Sequence, residues 1–175
     1  MDIRHYVKLK RIPGGRPGDT QYVRGVVFTK NLALKSMPRR LPHRPRIVLV
    51  SFPIEYQRQP QQHFLSLQAV LEQEKEFLRM VVGRIAALGP QVLLAERSVS
   101  GVALQYLSEA GIAVVANVKT SVMEAVARCA QTEILSSLDM LALPVVGASG
   151  SFEVKTRRWA APSCCAARRP RCWPG

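Results

Sequence analysis

The sequence RIVLVSF at residues 46–52 opens the stretch that decides the fold, and QVLLAE at residues 91–96 closes it. Both runs are short and largely apolar, which is typical of strands buried on both faces. Between them, apolar residues recur at three- and four-residue spacing, which predicts a helix with one buried face over residues 67–88. Its predicted core positions are Leu67, Val70, Leu71, Phe77, Leu78, Val81, Val82, Ile85 and Leu88. Strand, helix and strand in this order predict a βαβ crossover whose helix packs on a sheet.

Shorter units of the same kind follow along the chain. A helix after residues 98–100 is predicted to end at Gly111, in the left-handed conformation that glycine favours. Ser121 and Glu124 have the spacing of a capping box, which predicts the start of a further helix. The strands predicted in this part of the chain are residues 112–116, 133–137 and 151–155.

The first 45 residues predict an antiparallel pair of strands. Residues 5–11 alternate between the two faces of a strand, and residues 22–29 are rich in β-branched side chains. Residues 37–45 contain three prolines, which exclude a helix and a central strand, so we interpret them as a surface connection. The predicted fold class is α/β, with an N-terminal β-hairpin followed by short βαβ units.

The composition bounds the domain organisation. A chain of 175 residues with 47% hydrophobic residues can build one core. We predict one domain over residues 1–155 and a disordered or non-native tail, rich in Cys, Arg and Pro, over residues 156–175. Three cysteines of the tail lack an established ligand spacing, so a metal site there remains only an alternative: Cys164, Cys165 and Cys172. No apolar run approaches the ~20 residues of a membrane span, and no secretory signal is present, so we expect a cytoplasmic protein.

The charge is strongly positive. The formal net charge is +13, with six basic residues and no acid in residues 155–175 and five basic residues in residues 35–46. Few aromatic side chains accompany these cations to stack on bases, so we interpret them as solvated loops and expect no nucleic-acid binding. A basic surface for nucleic acid or anionic lipid remains the alternative.

No catalytic constellation can be recognised. The three histidines, His5, His43 and His63, have no ligand spacing, and Cys129 has no evident base. The chain lacks a phosphate-binding glycine loop and a Gly-x-Ser-x-Gly motif. We therefore predict no catalytic, cofactor-binding or metal-ligating residue, and we interpret the chain as a binding domain.

Several segments carry a family resemblance. Over roughly residues 5–147 the sequence resembles the substrate-facing (apical) domain of group II chaperonins, in residues 25–30, 37–39, 46–49, 71–78, 106–114 and 118–124. Three segments resemble more closely the chaperonin-like domain of the PIKfyve-type phosphatidylinositol-3-phosphate 5-kinases: residues 1–15, 51–58 and 151–154. The resemblance implies a chaperonin apical-type fold.

The resemblance also implies a docking role. In those kinases the domain lies between a lipid-binding zinc finger and a lipid-kinase domain, and it is associated with docking a regulatory scaffold protein and a phosphoinositide phosphatase on endosomes and vacuoles. Neither the kinase domain nor the ATP-binding domain of chaperonins is in this chain, so no ATP or other cofactor is expected. We expect a fragment of such a kinase, cytoplasmic and peripheral on the endosome or vacuole membrane, which it meets only indirectly through other domains.

The residues expected to bind partners lie in one loop and on one helix. They are Tyr56, Gln57, Arg58, Gln62, His63, Glu72, Glu76 and Arg79. By resemblance, these positions correspond roughly to where chaperonin apical domains meet their clients, and a solvated surface is the plain alternative at each. Two other functions stay open: a fragment of a group II chaperonin subunit that binds unfolded clients, and a basic module that binds nucleic acid or an anionic membrane.

Overall fold

The computed structural model describes residues 7, 9–11, 18, 20–41, 44–56, 67–138, 146–155 and 164–168. A parallel sheet forms the centre, with two helices on one face and a third helix together with an antiparallel sheet on the other. The elements in chain order are β1 (Gly25–Thr29), β2 (Arg40–Leu41), β3 (Arg46–Val50), α1 (Leu67–Ala87), β4 (Val92–Ala95), α2 (Gly101–Glu109), β5 (Ala113–Val115), α3 (Thr120–Ala130), β6 (Ile134–Leu135), β7 (Gly147–Ala148), β8 (Ser151–Lys155) and β9 (Cys164–Arg168).

The parallel sheet confirms the predicted βαβ units. Its strand order is β5-β4-β3-β6, and β7 pairs antiparallel with β3. In the register of the sheet, Val48 lies beside Leu93, which lies beside Val114. Every residue of β4 is buried, as expected for a strand covered on both faces.

Alternate residues of β3 face two different cores. Val48 packs in the core that contains Leu78 of α1. Ile47 packs in the core that contains Met123 of α3 and Phe152 of β8. Because side chains of a strand alternate between its faces, one apolar run supplies both cores. This explains why the run at residues 46–50 shows no polar alternation.

Helix α1 is longer than the sheet on which it packs. Its 21 residues span about 30 Å at 1.5 Å per residue, whereas the five residues of β3 span about 16 Å. The C-terminal end of α1 returns to β4 through a turn of only a few residues, with Gly89 at a φ of 62°. The surplus length therefore lies at the N-terminal end of α1, beyond the carboxyl edge of the sheet. There Leu71 is 42% exposed although the adjacent Val70 is buried, whereas Leu78 one heptad further along is fully buried.

The antiparallel sheet gives β1 a partner from the C-terminal part of the chain. Its strand order is β1-β9-β8-β2. β1 forms within the predicted residues 22–29 and pairs with β9, and no described residue of the stretch 5–11 pairs with it. Residues 7 and 9–11 have no regular structure, and residues 5, 6 and 8 lie outside the described residues. The partner of β1 comes from the distant C-terminal part of the chain, which a local pattern cannot reveal.

Strand β9 lies within the stretch that was predicted to be a disordered or non-native tail. Its backbone pairs with β1 on one side and with β8 on the other. For residues 164–168 a strand therefore replaces the expected disorder, because two open strand edges supply hydrogen-bond partners that the tail lacks by itself. The rest of residues 156–175 lies outside the described residues, and the boundary at residue 155 stays a prediction.

The start of α3 also differs from the prediction. The helix begins at Thr120 with Lys119 as its N-cap, and no side chain caps it, so the capping box of Ser121 and Glu124 is wrong. Thr120 Oγ1 instead donates a hydrogen bond of 2.7 Å to Glu96 Oε1, which ties the start of α3 to the end of β4. The start of α3 is thus held by a tertiary contact and not by a side-chain cap.

Residues 37–45 are more than a surface connection. Met37 is only 3% exposed, and its Sδ accepts a hydrogen bond of 3.2 Å from the backbone N–H of Val114. The backbone N–H of Ala33 donates to Val114 O at 2.8 Å. The backbone N–H and C=O of Val114, at the outer edge of β5, are therefore both paired. Further along the segment, β2 pairs with β8.

Candidate functional site

Four of the eight predicted partner-binding residues fall in the described part of the chain. They are Tyr56, Glu72, Glu76 and Arg79. Gln57, Arg58, Gln62 and His63 lie outside the described residues. The described four are positioned by α1 and by the segment that follows β3.

Tyr56 is held at the carboxyl edge of the parallel sheet. Just before it, the N–H of Ile54 donates to Ser98 O at 3.1 Å, and the N–H of Ser100 donates to Ile54 O at 2.9 Å. The Tyr56 ring then meets the Phe77 ring of α1 edge-on, with 5.7 Å between centroids and 67° between planes. This geometry is favourable for aromatic pairs and fixes the half-buried tyrosine against α1.

Arg79 is oriented by a neighbouring helix. Its guanidinium carbon lies 5.7 Å from the centroid of the Tyr106 ring on α2. This is a cation–π distance, and it holds the long side chain while its charge stays exposed. α1 and α2 pack against each other on the same face of the sheet, so the contact spans the two helices.

The two predicted carboxylates lie on the same exposed row as Arg79. Glu72, Glu76 and Arg79 are spaced by four and three residues, which places them on one side of a helix. All three are exposed. Leu71 and Met80, which are 42% and 48% exposed, flank this row on its two sides. We call these five side chains the α1 surface.

The two apolar members of the α1 surface, Leu71 and Met80, could not be predicted from the sequence. The periodicity places Leu71 on the buried face, and Met80 carries no signal beyond its exposed helical phase. Phe77 and Tyr106, which hold Tyr56 and Arg79, read as ordinary core-edge positions of their helices. Only the packing of α1 shows that a charged row is bordered by apolar side chains.

The α1 surface combines charged and apolar side chains. It offers charges of both signs and two apolar side chains on a helix held by a core, and its Arg79 and Met80 are of residue types enriched at protein interfaces. Among the described residues, no group of three His, Cys, Asp or Glu side chains is placed to hold a metal ion. No helix within the described ranges is long and apolar enough to cross a membrane.

Comparison with known proteins identifies the fold family. Residues 1–160 match the sequence profile of the TCP-1/cpn60 chaperonin family. The chain belongs to the TCP-1/cpn60 chaperonin family. Its fold is similar to the open-state monomer of a group II chaperonin from Methanococcoides burtonii, with a TM-score of 0.70 over 89% of this chain and 33% of that chain, at 22% identity. The predicted chaperonin-like α/β fold is confirmed.

The sequence is more similar to a group of lipid kinases. It is 44% identical over 158 residues to the 1-phosphatidylinositol 3-phosphate 5-kinase of Saccharomyces cerevisiae, covering 89% of this chain and 7% of the kinase. It is 39% identical over 153 residues to the human enzyme of the same name, covering 87% of this chain and 7% of the kinase. The chain thus spans less than a tenth of the length of these relatives and corresponds to their chaperonin-like region.

Proposed function

We propose that this chain is the chaperonin-like part of a phosphatidylinositol-3-phosphate 5-kinase and that it binds protein partners without catalysing a reaction itself. The observation that carries the proposal is the 44% identity to the yeast kinase over a region with a chaperonin fold. Identity to the chaperonin of similar fold is only half as high, at 22%. Catalysis on phosphatidylinositol 3-phosphate would then belong to a kinase domain elsewhere in the parent protein.

The α1 surface is the proposed docking site. Its charged row is presented by a regular helix, so little backbone entropy is lost on binding. Leu71 and Met80 provide apolar contacts at its two borders. Arg79 is held by the Tyr106 ring, and Tyr56, held by the Phe77 ring, adds an aromatic side chain beside α1.

The proposed partners are a regulatory scaffold protein and a phosphoinositide phosphatase of the kinase complex. The support is the resemblance to the kinase family, in which this domain is associated with such docking. Within the parent protein, the domain would then act in the cytoplasm, on the surface of endosomes or the vacuole.

A titration of the full chain with the scaffold protein of its own organism tests the proposal. The variant Glu72→Arg/Glu76→Arg reverses two charges of the α1 surface and should weaken binding by about tenfold or more, because like charges then oppose the partner. The matched control is Glu124→Arg/Glu133→Arg. It makes the same charge change at two exposed residues, of which Glu124 lies on α3, across the parallel sheet from α1.

The control variant should bind like the unaltered chain. Equal losses in the two double variants would show that net charge matters and that the α1 surface does not. Absence of any binding by the unaltered chain would refute the docking proposal.

The chaperonin alternative makes a different prediction. A fragment of a folding chaperonin should bind a chemically unfolded protein through exposed apolar residues, without need of Glu72 and Glu76. Saturable binding of an unfolded client that the double variant leaves unchanged would favour this alternative over docking to the kinase complex.

A further inference from the structure

A second surface has one sign of charge. The segment of residues 35–46, which we call the basic ridge, carries five cations and no acid: Lys35, Arg39, Arg40, Arg44 and Arg46. All five are exposed. The acid opposite the ridge in the sheet is Glu153, which pairs in register with Arg40 and is half-buried. Within the described part of the chain, this one pairing leaves most of the positive charge of the ridge unbalanced.

The basic ridge is fixed to the domain by apolar side chains that alternate with its cations. Met37 and Pro45 are buried, and Leu41 is half-buried in the core beneath the antiparallel sheet. The Met37 sulfur accepts the hydrogen bond from Val114. These anchors face inward, so the cations between them point toward solvent.

Backbone hydrogen bonds hold the same segment at three further points. Arg39 O accepts from the N–H of Val154 at 2.8 Å, and Pro45 O accepts from the N–H of Ser149 at 3.1 Å. Arg46 O accepts from the N–H of Gln91 at 2.9 Å. A backbone held at these points fixes where the neighbouring cations are attached, which lowers the backbone entropy lost on binding an anionic surface.

The residue types of the ridge and its position at a sheet edge favour one kind of partner. No Phe, Tyr or Trp lies within residues 35–46, so the ridge has no platform on which bases could stack. β2, which carries Arg40, is the edge strand of its sheet and not the floor of a groove. An anionic bilayer needs neither a groove nor stacking, because its dispersed headgroup charges attract a row of exposed cations.

We propose that the basic ridge contacts the anionic phospholipid headgroups of a membrane surface through their charge, without selecting one headgroup. This inference goes beyond the proposed function, because it gives the chain its own contact with lipid and does not involve the α1 surface. It replaces the expectation that the chain meets a membrane only through other domains.

Flotation of the full chain with lipid vesicles tests this proposal. The unaltered chain should float with phosphatidylcholine vesicles that contain phosphatidylserine, and high salt should release it. The variant Lys35→Gln/Arg39→Gln/Arg44→Gln should bind these vesicles more than tenfold less tightly, since each basic residue near such a surface strengthens binding by about fivefold.

A matched control removes the same charge elsewhere. Lys75→Gln/Arg97→Gln/Lys119→Gln replaces three exposed cations outside the ridge. The cations after residue 154 are unchanged in both variants, so their contribution cancels in the comparison. Thermal melting of both variants checks that each is folded, and the control should keep most of its vesicle binding.

Four outcomes would overturn the proposal. The first is that the unaltered chain fails to bind phosphatidylserine vesicles. The second is that the two triple variants lose binding equally, which would indicate an effect of net charge alone. The third is that a single-stranded RNA binds the ridge more tightly than the vesicles do, which would indicate that the ligand is a nucleic acid. The fourth is that, among vesicles of equal charge, only those with phosphatidylinositol 3-phosphate bind the chain, which would indicate recognition of one headgroup. None of these measurements involves a protein partner, so they are independent of the docking proposal.

Discussion

Replacing Leu78 of α1 with alanine is expected to lower the free energy of unfolding by about 2–5 kcal/mol, whereas replacing Leu71 should cost about 1 kcal/mol. The two leucines are seven residues apart, so sequence periodicity places both on the core face. Leu78 is 0% exposed and Leu71 is 42% exposed. The difference between the two stability losses therefore measures how the fold, beyond the sequence periodicity, determines burial.

The magnitudes follow from the burial of each side chain. Each buried carbon contributes about 0.8 kcal/mol, and truncation of a leucine to alanine removes three, which is about 2.4 kcal/mol at Leu78 before the cavity is counted. The cavity left in a closed core adds up to about as much again. At Leu71 somewhat more than half of the transfer free energy is lost, because the side chain is partly exposed, and solvent fills the space that the leucine leaves. The better helix propensity of alanine offsets this loss by a few tenths of a kcal/mol at about 25 °C.

Urea unfolding of the full chain, followed by far-ultraviolet circular dichroism, measures both changes. In thermal melts the loss at Leu78 corresponds to about 4–20 °C and the loss at Leu71 to about 2–4 °C. Equal losses at the two positions would refute the reasoning, because Leu71 would then be as buried as Leu78 and the N-terminal end of α1 would lie on the sheet. Under the proposed function, Leu71→Ala should in addition weaken binding of the scaffold protein.

Three further substitutions test local features of the fold. Gly147→Ala should destabilise the chain by about 1–3 kcal/mol, because its new Cβ would lie 2.7 Å from Thr132 Cβ; an unchanged urea midpoint would contradict this close approach. Gly83→Ala should stabilise it by about 0.5–1 kcal/mol, because this exposed helical glycine has no atom within 4 Å of the added Cβ. A destabilised Gly83→Ala variant would argue against a regular helix there. Thr120→Val should cost about 1 kcal/mol by removing the hydrogen bond to Glu96, and a double-mutant cycle with Glu96→Gln that gives no coupling would contradict it.

Local patterns predicted the parallel half of the fold well. The runs at residues 46–50 and 92–95 became β3 and β4, because a strand covered on both faces must be apolar throughout. Gly111 has the left-handed φ of 75° that was predicted after α2, since a glycine there carries no Cβ penalty. The sequence also indicated Glu72, Glu76 and Arg79 as exposed, because they lie opposite the apolar stripe of α1.

Contacts between distant residues decided the rest. Residues 22–29 predicted a strand, but an open strand edge accepts any partner, and only the folded chain selected β9. The capping box at Ser121 had the right spacing, yet the hydrogen bond from Thr120 to Glu96 lies at the start of the helix instead.

By itself, the sequence determined the α/β class and the βαβ crossover, because burial on both faces of a strand and on one face of a helix leaves a local record in residue type. The chaperonin family was indicated by the resemblance of several segments to known proteins and not by this record. The tertiary structure alone decided that Leu71 is exposed and that Tyr56 meets Phe77. It also decided that Met37 closes the edge of β5 and that the cations of the basic ridge face outward around it. These features depend on how far one element extends past another, which residue spacing along the chain does not encode.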